Sequence, residues 1–221
     1  MNVRIPRRAW AAGIVALTAL LVVGSGVHVT AQGVGNEDTS WVRPPNDPKY
    51  PPVVGYINSQ AIPREQLLRI EALHRMQAHA PRSAPLSDFA PGAKREIEDW
   101  TLLIQRAAQR GFACSAVEVQ PAIKTVVDGL PLMSPDARAQ VEASVLSSSG
   151  DRDIAQWAED PKVIHTYQEV CAVSKMIRAS AGSPAGGQDH DLNQSMSGQL
   201  GARERILSEL RSQAHIQWLV P

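Results

Sequence analysis

Residues 93–119 read AKREIEDWTLLIQRAAQRGFACSAVEV, and their spacing decides the fold class. Ala93, Ile97, Trp100, Ile104 and Ala107 recur at three- and four-residue steps, the period of a helix with one apolar face. Gly111 stands just past the end, where a helix stops in a left-handed residue that glycine enters without steric penalty. Ser115-Ala116-Val117-Glu118 then spells a capping box. In it the serine side chain takes a backbone N–H of the first turn, and the glutamate reaches back to the N–H of the serine. Cys114 before the cap and Val119 after it are placed as a hydrophobic staple. The stretch is therefore helix, turn, helix.

Working outward, the second of these helices carries Val119, Ile123 and Val126 and stops at Gly129. Pro121 lies deep enough in it to predict a kink or a delayed start. Ser134-Pro135-Asp136 caps a further helix with Val141, Val145 and Leu146 inward, and residues 147–150 form a loop. Asp151 to Ala158 reads as a short helix with Ile154 and Trp157 inward. Asp160-Pro161 opens a long one facing the core through Val163, Tyr167, Val170 and Ile177. Residues 180–190 are a Gly-, Ser- and Ala-rich connector before a last helix, Asp191 to Gln213, with Leu192, Met196, Leu200, Leu207 and Leu210.

Upstream, Val53 to Ile57 reads as a strand, Asn58-Ser59 as a tight turn and Ala61-Ile62 as the return strand. Pro63 opens a helix with Leu67, Ile70, Leu73 and Met76 on one face, and residues 81–91 form a loop. At the other end His215 to Val220 alternates, with Ile216, Trp218 and Val220 on one side. A lone terminal strand needs a partner, and the only candidates lie near residues 53–62. The pattern predicts a mainly α, multi-helix domain over residues 53–221. Its small β-sheet is formed by an N-terminal hairpin and a C-terminal strand.

The 221 residues hold 22 Lys+Arg and 22 Asp+Glu, but Arg4, Arg7 and Arg8 are the only charges before Glu37. Without residues 1–31 the balance is 19 basic against 22 acidic. A weakly acidic body lacks the basic stripe that phosphate binding needs, which argues against a nucleic-acid partner. Ala9 to Ala31 carry no Asp, Glu, Lys or Arg, and the basic flank followed by that apolar run directs export. Residues 1–31 are read as a signal peptide cut near Gly24 to Ala31, or as an uncleaved N-terminal membrane anchor. Both outcomes place the working domain outside the cytoplasm. Residues 32–52 form a semi-rigid linker punctuated by Pro44, Pro45, Pro48, Pro51 and Pro52.

Cys114 and Cys171 are the only cysteines, and an oxidising compartment permits a disulfide between them; two buried thiols are the alternative. They do not form a metal site, since no further His or Cys lies nearby at ligand spacing. His74 and His79 sit five apart and point to different faces of a helix. His190 lies in the polar connector, Ser147 to Ser149 in a loop, and the acidic pairs Glu96/Glu98 and Asp151/Asp153 read as helix N-terminal charge. No set of nucleophile, base and oxyanion donor emerges, so neither catalytic residues nor a cofactor are expected. Met76, Met133, Met176 and Met196 are core candidates that would become a polypeptide-contacting surface if they lined one cleft.

Three segments resemble the N-terminal chaperone domain of the SurA/PrsA family of extracytoplasmic folding factors, and more distantly trigger factor. Val53 to Glu65, VVGYINSQAIPRE, is similar to that family's opening hairpin. Glu96 to Glu118 is similar to its helix–turn–helix, and Ser208 to Val220 to its closing helix and strand. Ser59 stands where glycine is usual, Pro63 replaces a Thr or Ser cap, and Pro121 interrupts a helix. The resemblance implies a chaperone-like (holdase) protein that binds unfolded or exported polypeptides. In isomerase members a parvulin domain occupies the place held here by the short connector, so the resemblance implies no prolyl isomerase activity. A structural or docking subunit of a cell-envelope complex is the alternative use of the same fold. Oligomeric state is left open.

Overall fold

The last strand of the chain lies beside the first. In the computed structural model, which describes residues 50–78, 80–81, 84–135, 138, 141–142, 145, 153–182 and 192–220, β1 (Val53–Ile57) is the middle strand of three. It pairs antiparallel with β2 (Gln60–Pro63) on one side and β3 (Ile216–Trp218) on the other. Tyr56 faces Ala61 and Gln217 across the ladders, and Leu219 N–H donates to the Val54 carbonyl at 2.9 Å. The sheet expected from the two ends of the body is therefore formed.

The turn that makes the hairpin also holds β3. Asn58 and Ser59 adopt φ of 48° and 71°, the paired left-handed conformation whose twist suits a two-residue hairpin. Asparagine tolerates it; serine is strained there. Asn58 N–H donates to the His215 carbonyl, and its Oδ1 accepts from the His215 N–H, both at 2.9 Å. Gly55 is dictated by close approach: a Cβ there would lie 2.8 Å from both the Gln217 carbonyl oxygen and Cε3 of Trp218.

The helices are α1 (Arg64–Gln77), α2 (Ala90–Gln109), α3 (Ala116–Gly129), α4 (Ile154–Glu159), α5 (Pro161–Ser180) and α6 (Leu192–Gln213). Short 3₁₀ turns at Leu86–Phe89 and Leu130–Leu132 precede α2 and follow α3. The capping box at Ser115 and Glu118 has both reciprocal bonds, and Gly111 takes a φ of 74°. Asp153 and Asp160 cap α4 and α5 by accepting the backbone N–H of Gln156 and Lys162. Pro63 ends β2 rather than opening α1, which begins one residue later. Pro121 delays nothing, because α3 runs from Ala116 straight through it. The partner Pro121 takes from the Val117 carbonyl is replaceable by water, since Val117 is 80% exposed.

Two hydrophobic cores form. The main one gathers Val54, Ile57 and Ile62 from the sheet, Leu67 and Ile70 from α1, and Ile97, Leu102, Leu103 and Ala107 from α2. Val173 and Met176 from α5 and Leu207 and Leu210 from α6 complete it. α2 packs on α1, α5, α6 and β1, so it buries far more than the single face its periodicity marks. Asp99, Thr101, Leu102 and Leu103 are buried, whereas Trp100 and Ile104 are only half-buried. The second core joins Cys114, Val119, Ile123 and Val126 with Val145, Trp157, Val163 and Tyr167. α5 is common to both cores, with Val163 and Tyr167 in the second and Val173 and Met176 in the main one. Of the helix expected after Ser134, the described residues Pro135, Arg138, Val141, Glu142 and Val145 are helical.

Candidate binding site

Cys114 and Cys171 are joined by a disulfide, with Cα atoms 6.0 Å apart across 57 residues of sequence. The bridge fastens the entry of α3 to the middle of α5. Around it Gln168 Nε2 donates to the Cys114 carbonyl at 3.1 Å, and Lys175 Nζ to the Ala113 carbonyl at 3.0 Å. Lys175 also pairs with Glu118 at 2.6 Å. That bond and those from Ser115 hold the Glu118 carboxyl at about 2, well below its usual range.

Of the four methionines, the structure describes the side chains of Met133 and Met176. Met176 is fully buried in the main core, where α2, α5 and α6 pack on one another, so its core reading holds and the alternative, that it faces a bound polypeptide, is corrected. Met133 is half-buried just past the second 3₁₀ turn. The side chains of Met76 and Met196 lie outside the described residues, as do residues 1–49, His79, Ser147 to Ser149, Asp151 and His190.

What α5 and α6 do leave between them is a shallow apolar groove. Ile177, Gln199, Leu200 and Arg203 line it, and it encloses about 190 Å³. Leu200 was expected on the core face of α6, yet it is 61% exposed. Among the residues of α6 whose burial is described, the buried ones are Ala202, Ile206, Leu207 and Leu210. Arg203 pairs with Glu204 at 3.0 Å and stands 4.0 Å from Asp99. Asp99 in turn accepts from Nε and Nη2 of Arg211, which ties α2 to α6 beneath the groove.

A second polar seam holds β3 in place. Trp218 Nε1–H donates to Glu98 at 2.8 Å, and Lys94 Nζ donates to the Val220 carbonyl at 2.7 Å. The same ammonium sits 5.3 Å from the Trp218 ring centre. Desolvation lowers the Lys94 pKa while Glu71 and Glu98 pull it up. Glu96 pairs with His74 of α1 at 2.7 Å. The acidic pair Glu96/Glu98 thus serves two interhelix and helix–strand contacts, which spacing along one helix does not reveal. Among the described residues no cluster of three or more His, Cys, Asp and Glu is placed to hold a metal ion, and no helix is long and apolar enough to cross a membrane.

No family model, curated protein or solved structure matches the chain.

Proposed function

We propose that this protein binds unfolded or exported polypeptides outside the cytoplasm, as a chaperone-like holdase without prolyl isomerase activity. The observation that carries the reading is the return of β3 to β1, with only helices and short 3₁₀ turns as elements among the described residues between β2 and β3. α5 and α6 pack on each other directly, and only residues 181–191 connect them. The disulfide supports an oxidising compartment.

Binding by this surface is weak and reversible. The groove beside Leu200 admits about one side chain, and burying a Leu-sized group yields roughly 1.5–3 kcal/mol before association costs. Such contacts tolerate many sequences, and an uncleaved membrane anchor would raise their effective concentration at the export site. The test is suppression of aggregation of a denatured, disulfide-free model polypeptide by the exported body at molar excess. Leu200→Glu should weaken that protection, while a proline-limited refolding assay stays unaccelerated. No protection at molar excess overturns the reading.

The closed main core favours a second reading. With Met176, Leu103 and Leu207 sealed inside, the surface suits one dedicated envelope partner as well as many transient ones. A docking subunit would form a stoichiometric complex with that partner and leave the denatured polypeptide unprotected.

A further inference from the structure

The disulfide has a topological property independent of polypeptide binding. The loop it closes, residues 114–171, contains the whole of α3, α4 and the first half of α5, and every buried residue of the second core lies within it. Nearly everything that builds the main core lies outside: the three strands, α1, α2, α6, and α5 from Ala172 onward. The main lobe also keeps its own ties, from Asp99 to Arg211, His74 to Glu96, Trp218 to Glu98 and Asn58 to His215. Among the described residues, the core of the second lobe has eight buried members. It meets the main lobe through the continuous helix α5, the Gly111 to Ser115 turn and the Lys175–Glu118 pair, while the bridge ties the second lobe to itself.

We propose that the Cys114–Cys171 bridge is a redox latch on this second lobe, opened by exchange with a thiol or dithiol reductant while the main lobe remains folded. Access sets the direction of the exchange. Cys171 is half-buried, whereas Cys114 is buried, with 8% of its surface exposed. The incoming thiolate therefore attacks Sγ of Cys171, forming a mixed disulfide as the S–S bond breaks and its electron pair leaves on Cys114. The leaving sulfur lies one residue before the cap of α3, at the helix end that favours an anion, although Glu118 already occupies part of that field. A second thiolate on the reductant then displaces Cys171. Overall one protein disulfide and two reductant thiols become two protein thiols and one reductant disulfide.

Release has a defined consequence. The loop constraint is lost only for residues 114–171, so Val119, Ile123, Val126 and Trp157 become intermittently exposed while β1, β2 and β3 stay paired.

The full chain, incubated in native buffer with glutathione and quenched with iodoacetamide, should carry glutathione on Cys171 and the alkyl group on Cys114. The reverse labelling overturns the stated direction. With dithiothreitol, amide exchange in residues 116–129 and 154–159 should rise about tenfold or more while residues 53–63 and 93–107 change less than about twofold. The double variant Cys114→Ser/Cys171→Ser should reproduce that pattern without reductant. A bridge reduced only after global unfolding, unchanged exchange after reduction, or exchange spreading through the main sheet would each overturn the latch. Aggregation assays read the proposed holdase activity separately, so either proposal can fail alone.

Discussion

Replacing Gly55 with alanine tests the pairing on which the architecture depends. The added methyl would meet the Gln217 carbonyl and the Trp218 ring, both at 2.8 Å, well inside ordinary van der Waals separation. The first contact is backbone of β3, and the second is a ring held by Glu98 and covered by Lys94, so neither yields easily. Overpacking of this kind costs about 1–3 kcal/mol. Alanine returns roughly 0.5–1 kcal/mol, because glycine loses more conformational entropy in a strand. Taking the middle of both ranges, the net expectation is destabilisation by roughly 1 kcal/mol, read as a lowered urea midpoint at unchanged slope. Trp218→Ala in the same background removes the ring contact, so the Gly55→Ala penalty should shrink there. A Gly55→Ala protein as stable as the parent, or an equal penalty in both backgrounds, refutes the packing of Trp218 over Gly55.

Three further outcomes follow from the interior. Asp99→Ala strands the Arg211 guanidinium between α2 and α6 and should cost about 2–4 kcal/mol in denaturant unfolding, with Asp99→Asn intermediate. Tyr167→Phe should be neutral or stabilising by up to about 1 kcal/mol by calorimetry, because the hydroxyl is buried without a partner among the described residues and burial already drives its pKa upward. Glu118 has a depressed folded pKa, so its contribution is fully present above its unfolded value of 4.5 and is lost as pH falls towards about 2. Glu118→Gln should flatten acid-induced loss of stability across that window; an unchanged profile places the acid sensitivity elsewhere.

Local chemistry made the helix ends readable from sequence. The capping box at Ser115, the Asp160-Pro161 start and the stop at Gly111 each depend on a few adjacent residues and appear as read. The hairpin and its terminal partner were legible because a lone alternating strand must pair somewhere. Side-chain partners were less so. The periodicity of α2 marks Trp100 and Ile104, yet Leu102 and Leu103 are the deeper residues, because several elements converge on that helix. Leu200 fits the apolar stripe of α6 but lines the open groove beside Ile177 and is 61% exposed, and a stripe does not say which of its positions a neighbour covers. Arg95 is a local partner of Glu98 and Asp99, but the shorter bonds of Asp99, Glu96 and Glu98 reach Arg211, His74 and Trp218 on other elements, which no local window shows. Met176, a core candidate from sequence, is sealed inside, which removes the alternative reading of it as a contact surface.

The two lobes should also differ in when they fold. The second lobe is built from contacts within residues 114–171, while the sheet of the main lobe joins Asn58 to His215 across 157 positions. Loop-closure entropy must be met before such distant pairing is rewarded, so contacts of high sequence separation form slowly. Until residues 216–218 arrive, the β3-facing edge of β1 is unpaired, and Gly55 offers no side chain to shield it. Asn58, Lys94 and Glu98 are ready early, being on the hairpin and α2, and they collect the terminal strand through His215, Val220 and Trp218. Pulse-labelled hydrogen exchange during refolding of the oxidised protein should therefore show residues 116–126 protected before Tyr56 and Gln217. Simultaneous protection of both regions would mean that the main core nucleates the second lobe through α5.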